Sequence, residues 1–454
     1  MSRPVPNCIP AADPGAVRLA LIGEAPGEVE TQQGRPFCGP SGYLLDQWLA
    51  SAGLSRAQVF VGNVCQCRPS PTSNDFHLLD WNGEAVQAGI AALRADLARF
   101  APHCVLAMGN AALHLLRHGN SSPPKSKQRQ LFQWSSHVGT WRGSLFLGAS
   151  DFDMFASARL RVSECSRYAD LADTANTFKC LGAYHPAATF RDPSFTYPLV
   201  SDLRRAVAEA RSPAFALPKR NFAYHLSLAE IEARITAIRA AKSAVGFDIE
   251  GGLKGLQCCS FATSPADAFV VDLMSPGGDG PALYRLLTSV LEDPLVPKVC
   301  WNAAYERAVL EAVASIRLAG YEDGMLAWWE RFSELPKGLD FVASLLTREP
   351  YWAEGIGWDR HTGAPKVTGI PFWRYNMLDS MTTLEIWQHP TIRAVVEARA
   401  PVPFESETLA GASRETQLSP SSRSTSTAYA SASSPTPTDA LAHAKSIGLL
   451  KEEK

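Results

Sequence analysis

The stretch Leu21–Gly42, LIGEAPGEVETQQGRPFCGPSG, decides the fold of the first half of the chain. An apolar run at 17–22 leads into it and predicts a buried strand that stops at Gly23. Two clusters of Gly and Pro follow, the first surrounded by glutamates and the second holding Phe37, before an amphipathic helix begins. Small residues let a backbone approach a flat ligand closely, and a helix start presents N–H groups to an anion or a carbonyl. The stretch therefore predicts a strand, a ligand-binding loop and a helix.

Length and composition limit the classes of protein that this chain can be. Its 454 residues are enough for two or three domains, and 46% hydrophobic with 19% charged residues is typical of a globular protein. The net charge of −2 gives no general basic field, so any contact with nucleic acid must come from local patches. Candidates, which are equally well explained as solvated charge clusters, lie at 125–129, 204–205 and 219–220.

The termini and the cysteines indicate a cellular compartment. The N-terminus lacks a signal-peptide pattern, and no apolar run reaches the length needed to span a membrane. The ten cysteines are scattered, which is typical of free thiols in a reducing cytosol. The sequence predicts a cytoplasmic protein without a membrane partner.

The order of predicted elements divides the chain into two α/β units. After a lead-in at 1–16, strands and helices alternate over 17–212, which predicts a parallel sheet with flanking helices. Residues 119–178 are predicted to be an irregular insertion, and 213–221 a linker. A second unit, 222–395, has a capping box, an apolar strand and a strand meander. The Ser/Thr/Pro-rich tail, 396–454, is predicted to be disordered, apart from a short helix at 441–450.

Two further motifs share the first unit with the opening stretch: NVCQCRP at 63–69 and His185-Pro186. In this order and spacing the three resemble the family 4 uracil-DNA glycosylases, over roughly residues 17 to 210. The resemblance implies cleavage of the N-glycosidic bond of deoxyuridine in DNA, after the base has been flipped out of the stack.

The resemblance also implies roles for individual residues. Phe37 would stack on the base, Asn63 would pair with the N3–H and O4 edge of uracil, and His185 would donate to O2. Taken singly, each of the three is also explained as a core, turn or strand-end residue.

The resemblance also implies contacts with the sugar and with the DNA. Glu24, with Glu30 in reserve, would hold the water or face the cationic sugar, and Gly23 would line the uracil pocket. Phe190 would be the wedge that enters the DNA, beside Arg191.

The cysteines depart from the family pattern. Family 4 enzymes usually hold an iron–sulfur cluster with four cysteines, including a pair near the N-terminus. Here Cys8 stands alone, Cys67 matches the third ligand, and 84–90 contains no cysteine. Since four thiolates are needed to hold such a cluster, we predict no iron–sulfur cluster.

In the second unit, GFDIE at 246–250 places Asp248 and Glu250 two apart on a strand, so both lie on one face. Tyr375 and Asp379 are four apart on a predicted helix and also share a face. With CWNAAYE at 300–306, this series resembles the DEDD-type 3′–5′ exonucleases that carry a tyrosine, most of all the exonuclease domain of A-family DNA polymerases.

That resemblance implies a ribonuclease H-like fold and phosphodiester hydrolysis with two Mg²⁺ ions. The ions would be held by Asp248, Glu250, Glu306 and Asp379. Tyr375 would orient the attacking water. Glu306 stands where the family normally has Asp, and the extra methylene is expected to alter the metal geometry.

The order of the two units resembles the front end of certain bacteriophage DNA polymerases. The sequence therefore predicts a DNA-processing hydrolase for repair or replication in a bacterial or phage-infected cell, with a separate DNA polymerase as a possible partner. One alternative is a non-catalytic DNA-binding accessory protein, and another is an exonuclease that acts on RNA.

Overall fold

The computed structural model describes residues 3–10, 15, 17–127, 131–152, 177–274, 280–357 and 365–398. The predicted tail from residue 399 onward, with its terminal helix, lies outside the described residues, as do 153–176 of the predicted insertion.

The first unit is built on a five-stranded sheet in the order β2-β1-β3-β5-β4. Four strands are parallel, as predicted, and β4 runs antiparallel to β5 at one edge. The strands are β1 (Leu19–Gly23), β2 (Phe60–Asn63), β3 (Cys104–Met108), β4 (Leu145–Ala149) and β5 (Thr177–Ala183).

Strand β4 corrects the prediction of an irregular insertion at 119–178. Its five residues, LFLGA, are all buried, and all five pair with β5, at residues 177–181 of that strand. The short apolar run was the signal, but the polar residues around it concealed the run.

Helices cover both faces of this sheet because its strands are apolar on both sides. In β1, Leu19 and Leu21 pack into one apolar cluster, whereas Ala20 and Ile22 pack into another. This alternation is expected for a parallel strand buried on both faces. The helices are α1 (Glu28–Gln33), α2 (Pro40–Ser51), α3 (Glu84–Phe100), α4 (Asn110–His118), α5 (Val138–Trp141) and α6 (Thr196–Glu209).

The second unit is built on a six-stranded mixed sheet in the order β11-β10-β7-β8-β9-β6. Strands β7, β8 and β9 form the predicted antiparallel meander, and β10 lies parallel to β7. A mixed α/β sheet agrees with the α/β fold class predicted for the second unit. The strands are β6 (Asn221–Ala223), β7 (Val245–Gly252), β8 (Gly255–Ser264), β9 (Asp267–Asp272), β10 (Lys298–Cys300) and β11 (Tyr321–Asp323).

A long helix, α12, crosses the second sheet closely at Gly246. A Cβ atom at Gly246 would lie 2.0 Å from the carbonyl oxygen of Ser380, so only glycine allows this approach. The helices of this unit are α7 (Leu228–Ala241), α8 (Gly280–Leu291), α9 (Ala303–Val309), α10 (Gly324–Arg331), α11 (Leu339–Leu346), α12 (Ile370–Gln388) and α13 (Pro390–Ala398). Helix α13 extends the ordered fold three residues past the predicted boundary at 395.

The capping box predicted at the start of α7 is confirmed. Ser227 accepts a hydrogen bond from the backbone of Glu230, whose side chain accepts from the Ser227 N–H at 2.8 Å. Within the described ranges, no helix has the length and apolar content required to cross a bilayer.

Polar contacts, of which those of Arg142 are buried, join the two units. Arg142 forms a bidentate ion pair with Asp202 at 2.6 and 2.9 Å and donates to Ser344 Oγ of α11 at 2.6 Å. Arg117 donates to both carboxylate oxygens of Glu354, at 3.2 and 3.1 Å. The surface of the first unit is therefore covered in part by the second.

Candidate functional site

The first site is a cleft of about 760 Å³ at the carboxyl ends of the strands of the first sheet. Glu24 follows β1, Asn63 ends β2 and His185 follows β5. Ligands of such sheets bind at this edge, and the structure brings the predicted residues together there. The residues around the cleft include Glu24, Phe37, Asn63, Asn74, Asp75, His77, Asn110, Trp134, His185 and Arg191.

Phe37, Asn63 and Gly23 form the tightest part of the cleft. A Cβ atom at Gly23 would lie 2.5 Å from Phe37 Cζ and 2.6 Å from Asn63 Oδ1. Phe37 has φ 51, a left-handed conformation that is unusual for an aromatic residue, and its ring centroid is 5.5 Å from that of His185. Glycine at position 23 thus leaves space that any other residue would fill.

Asn63 is 3% exposed, and its Oδ1 atom has no hydrogen-bond partner in the described part of the chain. A buried polar atom without a partner costs about 1–3 kcal/mol, so such atoms usually have a function. This oxygen is an acceptor suited to a ligand N–H group beside the Phe37 ring.

His185 has a defined tautomer. Its Nδ1 accepts a hydrogen bond from the backbone N–H of Ala187 at 3.2 Å, so the proton of the neutral ring lies on Nε2. Burial, with a smaller effect from the charge of Arg191, lowers the pKa of His185 to about 4. At neutral pH the residue is therefore an uncharged donor through Nε2.

Glu24 is held at the start of α4. Its Oε1 accepts from the backbone N–H of Ala111 at 3.1 Å, and a Cβ atom at Gly109 would lie 2.7 Å from the same oxygen. Burial raises the pKa of Glu24, whereas the N–H groups of Ala111 and Asn110 act in the opposite direction. The start of α4 thus fixes the position of the Glu24 carboxylate in the cleft.

Glu30, the reserve candidate, has a different position. Its Oε2 accepts from the N–H of Gly27 at 3.1 Å, and its Oε1 accepts from that of Gly39 at 2.9 Å. Both oxygens bind the loop backbone. The geometry therefore favours Glu24 over Glu30 as the catalytic carboxylate.

Phe190 and Arg191 lie at the rim of the cleft. Phe190 ends a 3-10 turn, Pro186–Phe190, and its side chain is 57% exposed. Arg191 follows it and lines the cleft. An exposed aromatic side chain next to a cation suits a contact with DNA.

The predicted basic patches have partners inside the protein. Lys125 donates to the carbonyl of Leu79 at 2.9 Å, and Arg220 pairs with Glu349 at 2.9 Å. Arg205 donates to the carbonyl of Ser344 at 3.3 Å. These side chains stabilise the fold, which weakens their interpretation as DNA patches.

Sequence reasoning missed Asp75, His77 and Trp134 in the first cleft. The charge of Asp75 contributes to the raised pKa of Glu24. Asp75 and His77 lie in the loop after β2, and a polar loop at the carboxyl end of a strand was the available signal.

The second site is a cluster of three carboxylates. Oxygen atoms of Asp248 and Glu250 on β7 and of Asp379 on α12 all lie within 4.8 Å of one another. Burial and mutual repulsion raise the pKa of Asp248 and Glu250 well above the usual range, and burial raises that of Asp379 to about 7. Such a cluster is stabilised by a divalent cation, for which carboxylates are the preferred ligands.

Glu306 and Tyr375 lie next to this cluster. Glu306 is outside the group of three, but its charge contributes to the raised pKa of Asp248, and its buried Oε2 has no partner among the described residues. Tyr375 forms a side-chain hydrogen bond with Asp379, whose charge raises the pKa of the tyrosine. The unpaired oxygen of Glu306 is an acceptor that a divalent cation could bind.

Two neighbours of the cluster were not predicted. Asn376 Nδ2 donates to Asp248 Oδ2 at 2.6 Å, and Trp352 Nε1 donates to Asp379 Oδ1 at 2.7 Å. Each fixes the orientation of one carboxylate.

The cysteines of the first unit do not present four thiolates in the described ranges. Cys65 is buried, with its pKa raised to about 11, and its sulfur contacts the backbone of Cys67. Among the described residues, only the carboxylate cluster brings three potential metal ligands close enough to share an ion. The geometry does not fit an iron–sulfur cluster here, and its absence from the protein stays a prediction.

The first unit is similar to a known family of proteins. The model of the "Uracil DNA glycosylase superfamily" matches residues 9–207. The type-4 uracil-DNA glycosylase of Pyrobaculum aerophilum is 33% identical over 103 residues, which cover 23% of this chain and 50% of that protein. The enzyme of the same description from Saccharolobus solfataricus is 26% identical over 219 residues, covering 48% of this chain and 82% of that protein. The resemblance of the first unit to this family is confirmed.

Coverage of the other relatives is smaller. The chain spans half or less of the length of four of the type-4 glycosylases that it matches. Among solved structures, Trypanosoma brucei RNase D is similar with a TM-score of 0.30 and 14% identity, over 39% of this chain and 70% of that chain. The POL domain of Pol1 from M. smegmatis, in complex with DNA primer-template and dNTP, has a TM-score of 0.30 and 17% identity, over 39% and 28%.

Proposed function

We propose that the first unit hydrolyses the N-glycosidic bond of deoxyuridine in DNA. The observation that carries the proposal is the unpaired, buried Oδ1 of Asn63, beside the ring of Phe37 and the neutral imidazole of His185. The similarity to type-4 uracil-DNA glycosylases supports the same substrate.

Three residues of the cleft recognise and activate the base. Asn63 Oδ1 accepts the N3–H of a flipped uracil, which cytosine lacks in its neutral form, and the amide N–H donates to O4. Phe37 stacks on the base. The Nε2–H of His185 donates to O2, where negative charge grows as the bond breaks.

The hydrolysis step uses a water molecule at Glu24. The water oxygen forms a bond to C1′ as the C1′–N1 bond breaks, and the bonding pair leaves with the uracil. Glu24, anchored by the N–H of Ala111, orients the water, stabilises the cationic sugar and accepts the water proton. Phe190 fills the gap left in the duplex.

The test is release of uracil from an oligonucleotide with a single deoxyuridine. Glu24→Gln and Asn63→Ala should each lower kcat/KM by about 100-fold or more. Glu84→Gln, an exposed carboxylate at the start of α3, is the matched control. Full activity of either site variant would show that the assignment of that residue is wrong.

A second activity is favoured by the carboxylate cluster. We propose that the second unit is a divalent-metal-dependent 3′–5′ exonuclease, with Asp248, Glu250, Asp379 and Glu306 as the metal-binding residues. Mg²⁺ held there would polarise the scissile phosphate and activate a water. Tyr375, fixed by its hydrogen bond to Asp379, lies where it can orient that water.

This activity is tested by the Mg²⁺-dependent shortening of 5′-labelled strands from their 3′ ends. Asp248→Asn should abolish shortening and leave uracil release unchanged, whereas Glu232→Gln, an exposed carboxylate on α7, should change neither. A parallel RNA substrate distinguishes a DNA exonuclease from an RNase. Binding of DNA with neither reaction would instead establish the accessory-protein alternative. The link to a phage DNA polymerase partner stays a prediction from the sequence resemblance.

A further inference from the structure

One short segment, Glu349–Glu354, contacts both units of the protein. We call it the bridging segment. It follows α11 and has no regular secondary structure up to a turn that begins at Glu354.

Two residues of the bridging segment, Tyr351 and Glu354, contact the first unit. The ring of Tyr351 lies 5.5 Å from that of Trp141 in an edge-on contact, and its N–H donates to Ser144 Oγ at 3.0 Å. Glu354 pairs with Arg117 at 3.1 Å. Arg117 in turn lies 3.3 Å from the ring centroid of Trp141. These contacts anchor the segment in the first unit.

A third residue of the segment contacts the carboxylate cluster. Trp352, the neighbour of Tyr351, donates its Nε1–H to Asp379 Oδ1 at 2.7 Å. An indole N–H can only donate, so it holds one carboxylate oxygen in a fixed direction. A carboxylate oxygen of Asp379 lies within 4.8 Å of oxygens of Asp248 and Glu250.

We propose that Trp352 is a positioning residue for the metal site, and that the first unit holds Trp352 in place through Tyr351 and Glu354. The inference rests on the proposed metal site of the second unit. Residues that orient a metal ligand typically change metal affinity about 10- to 100-fold when they are removed. The metal affinity of the second unit therefore depends on contacts made by the first.

The experiment measures binding of Mn²⁺ alone to the full chain by calorimetric titration. Trp352→Phe keeps an aromatic ring at this position but removes the N–H donor. It should raise the Kd for Mn²⁺ about 10- to 100-fold. Trp329→Phe, at a tryptophan that is 50% exposed on α10, is the matched control and should bind Mn²⁺ as the unmodified chain does. Trp352→Tyr returns an O–H donor and should recover part of the affinity.

A second arm tests the role of the first unit. Tyr351→Ala removes the ring that packs on Trp141 without touching Asp379, and should raise the Kd about three- to tenfold. Glu397→Gln, in an exposed helical ion pair on α13, is its control. Unchanged uracil release by each variant verifies that the fold is intact.

The outcomes distinguish the role of Trp352 from the role of the first unit. Mn²⁺ binding by Trp352→Phe at the original affinity would overturn the positioning role. If Tyr351→Ala has no effect, the role of the first unit is wrong. If the unmodified chain does not bind Mn²⁺, the metal site itself fails, and this inference fails with it.

Discussion

The amide of Asn63 ends β2 with an unpaired oxygen, and Gly23 across from it leaves the space into which that oxygen points. Phe37 closes the same space from a left-handed backbone conformation. A buried polar side chain, a positive φ at an aromatic residue and an unpaired hydrogen-bond acceptor are each unfavourable in an ordinary core. Their coincidence at one place is expected of a binding pocket, because functional sites are where local rules are broken.

Gly23→Ala tests this pocket. The added Cβ would lie 2.5 Å from Phe37 Cζ and 2.6 Å from Asn63 Oδ1, so the ring or the amide must move. A displacement of about 1 Å can cost about 100-fold in rate, and we expect a loss of that order in kcat/KM for uracil release.

Gly139→Ala is the control for this substitution, since nothing lies within 4 Å of a Cβ atom at that position. It should keep full activity. Uracil release by Gly23→Ala at the original rate would show that the base does not bind in the predicted space.

At the scale of elements, α4 supports the first site and carries one buried histidine, His114, and one half-buried histidine, His118. Burial lowers the pKa of His114 and lowers that of His118 to about 4. His118 Nε2 is 2.9 Å from Ser136 Oγ, and His114 Nε2 is 2.8 Å from the carbonyl oxygen of Ser121. Both histidines are therefore neutral in the folded protein at neutral pH.

This burial predicts a loss of stability in acid. At His118 the unfolded chain binds a proton below a pKa of about 6.5, whereas the folded chain does so only below a pKa of about 4. The pKa of His114 is lowered in the same direction. The free energy of unfolding should therefore fall as the pH is lowered from about 6.5 to 4, by up to about 3 kcal/mol for a histidine such as His118.

Urea unfolding at a series of pH values measures this dependence. His118→Gln should flatten the slope between pH 6.5 and 4, since glutamine does not titrate there. His225→Gln is the control, because His225 is exposed. An unchanged slope in His118→Gln would show that this residue is not the source.

Elements were predictable from the sequence where the signal is local. The strand before Gly23, the capping box at Ser227 and the shared face of Asp248 and Glu250 all follow from spacing along the chain. The i, i+4 rule likewise placed Tyr375 beside Asp379.

Contacts between distant segments were not predictable in this way. Trp352 reaches Asp379 across 27 residues, and Asn376 reaches Asp248 across 128. Neither spacing carries a period, because such contacts depend on the path of the chain in space. Strand β4 was missed for a related reason, since antiparallel pairing at a sheet edge needs only a short apolar run.

At the scale of the whole molecule, the polar contacts around Arg142 hold the two units together. The side chains of Arg142 and Asp202 are each 1% exposed, and Ser344 from the second unit contacts the same guanidinium group. A buried pair of this kind contributes little by itself, but removing one partner leaves a buried charge without compensation.

Arg142→Ala should therefore destabilise the protein by about 3–5 kcal/mol, measured by denaturant unfolding. The double substitution Arg142→Met with Asp202→Leu removes both charges and should lose much less. Arg393→Ala, in an exposed i, i+4 pair, is the control and should change stability by about 0.5 kcal/mol or less. Equal losses in the single and double variants would contradict this account.

The contacts of Arg142, Tyr351 and Glu354 also affect how the protein can be dissected. A cut in the linker at 213–221 would strip Ser344 from Arg142 and would leave Tyr351 and its apolar neighbours facing water. Each fragment would then expose charged and apolar groups that are covered in the intact chain, and such a surface promotes aggregation. Loss of either activity in such a fragment would thus report damage from the excision itself, so the two chemistries are best separated by point substitutions in the intact chain.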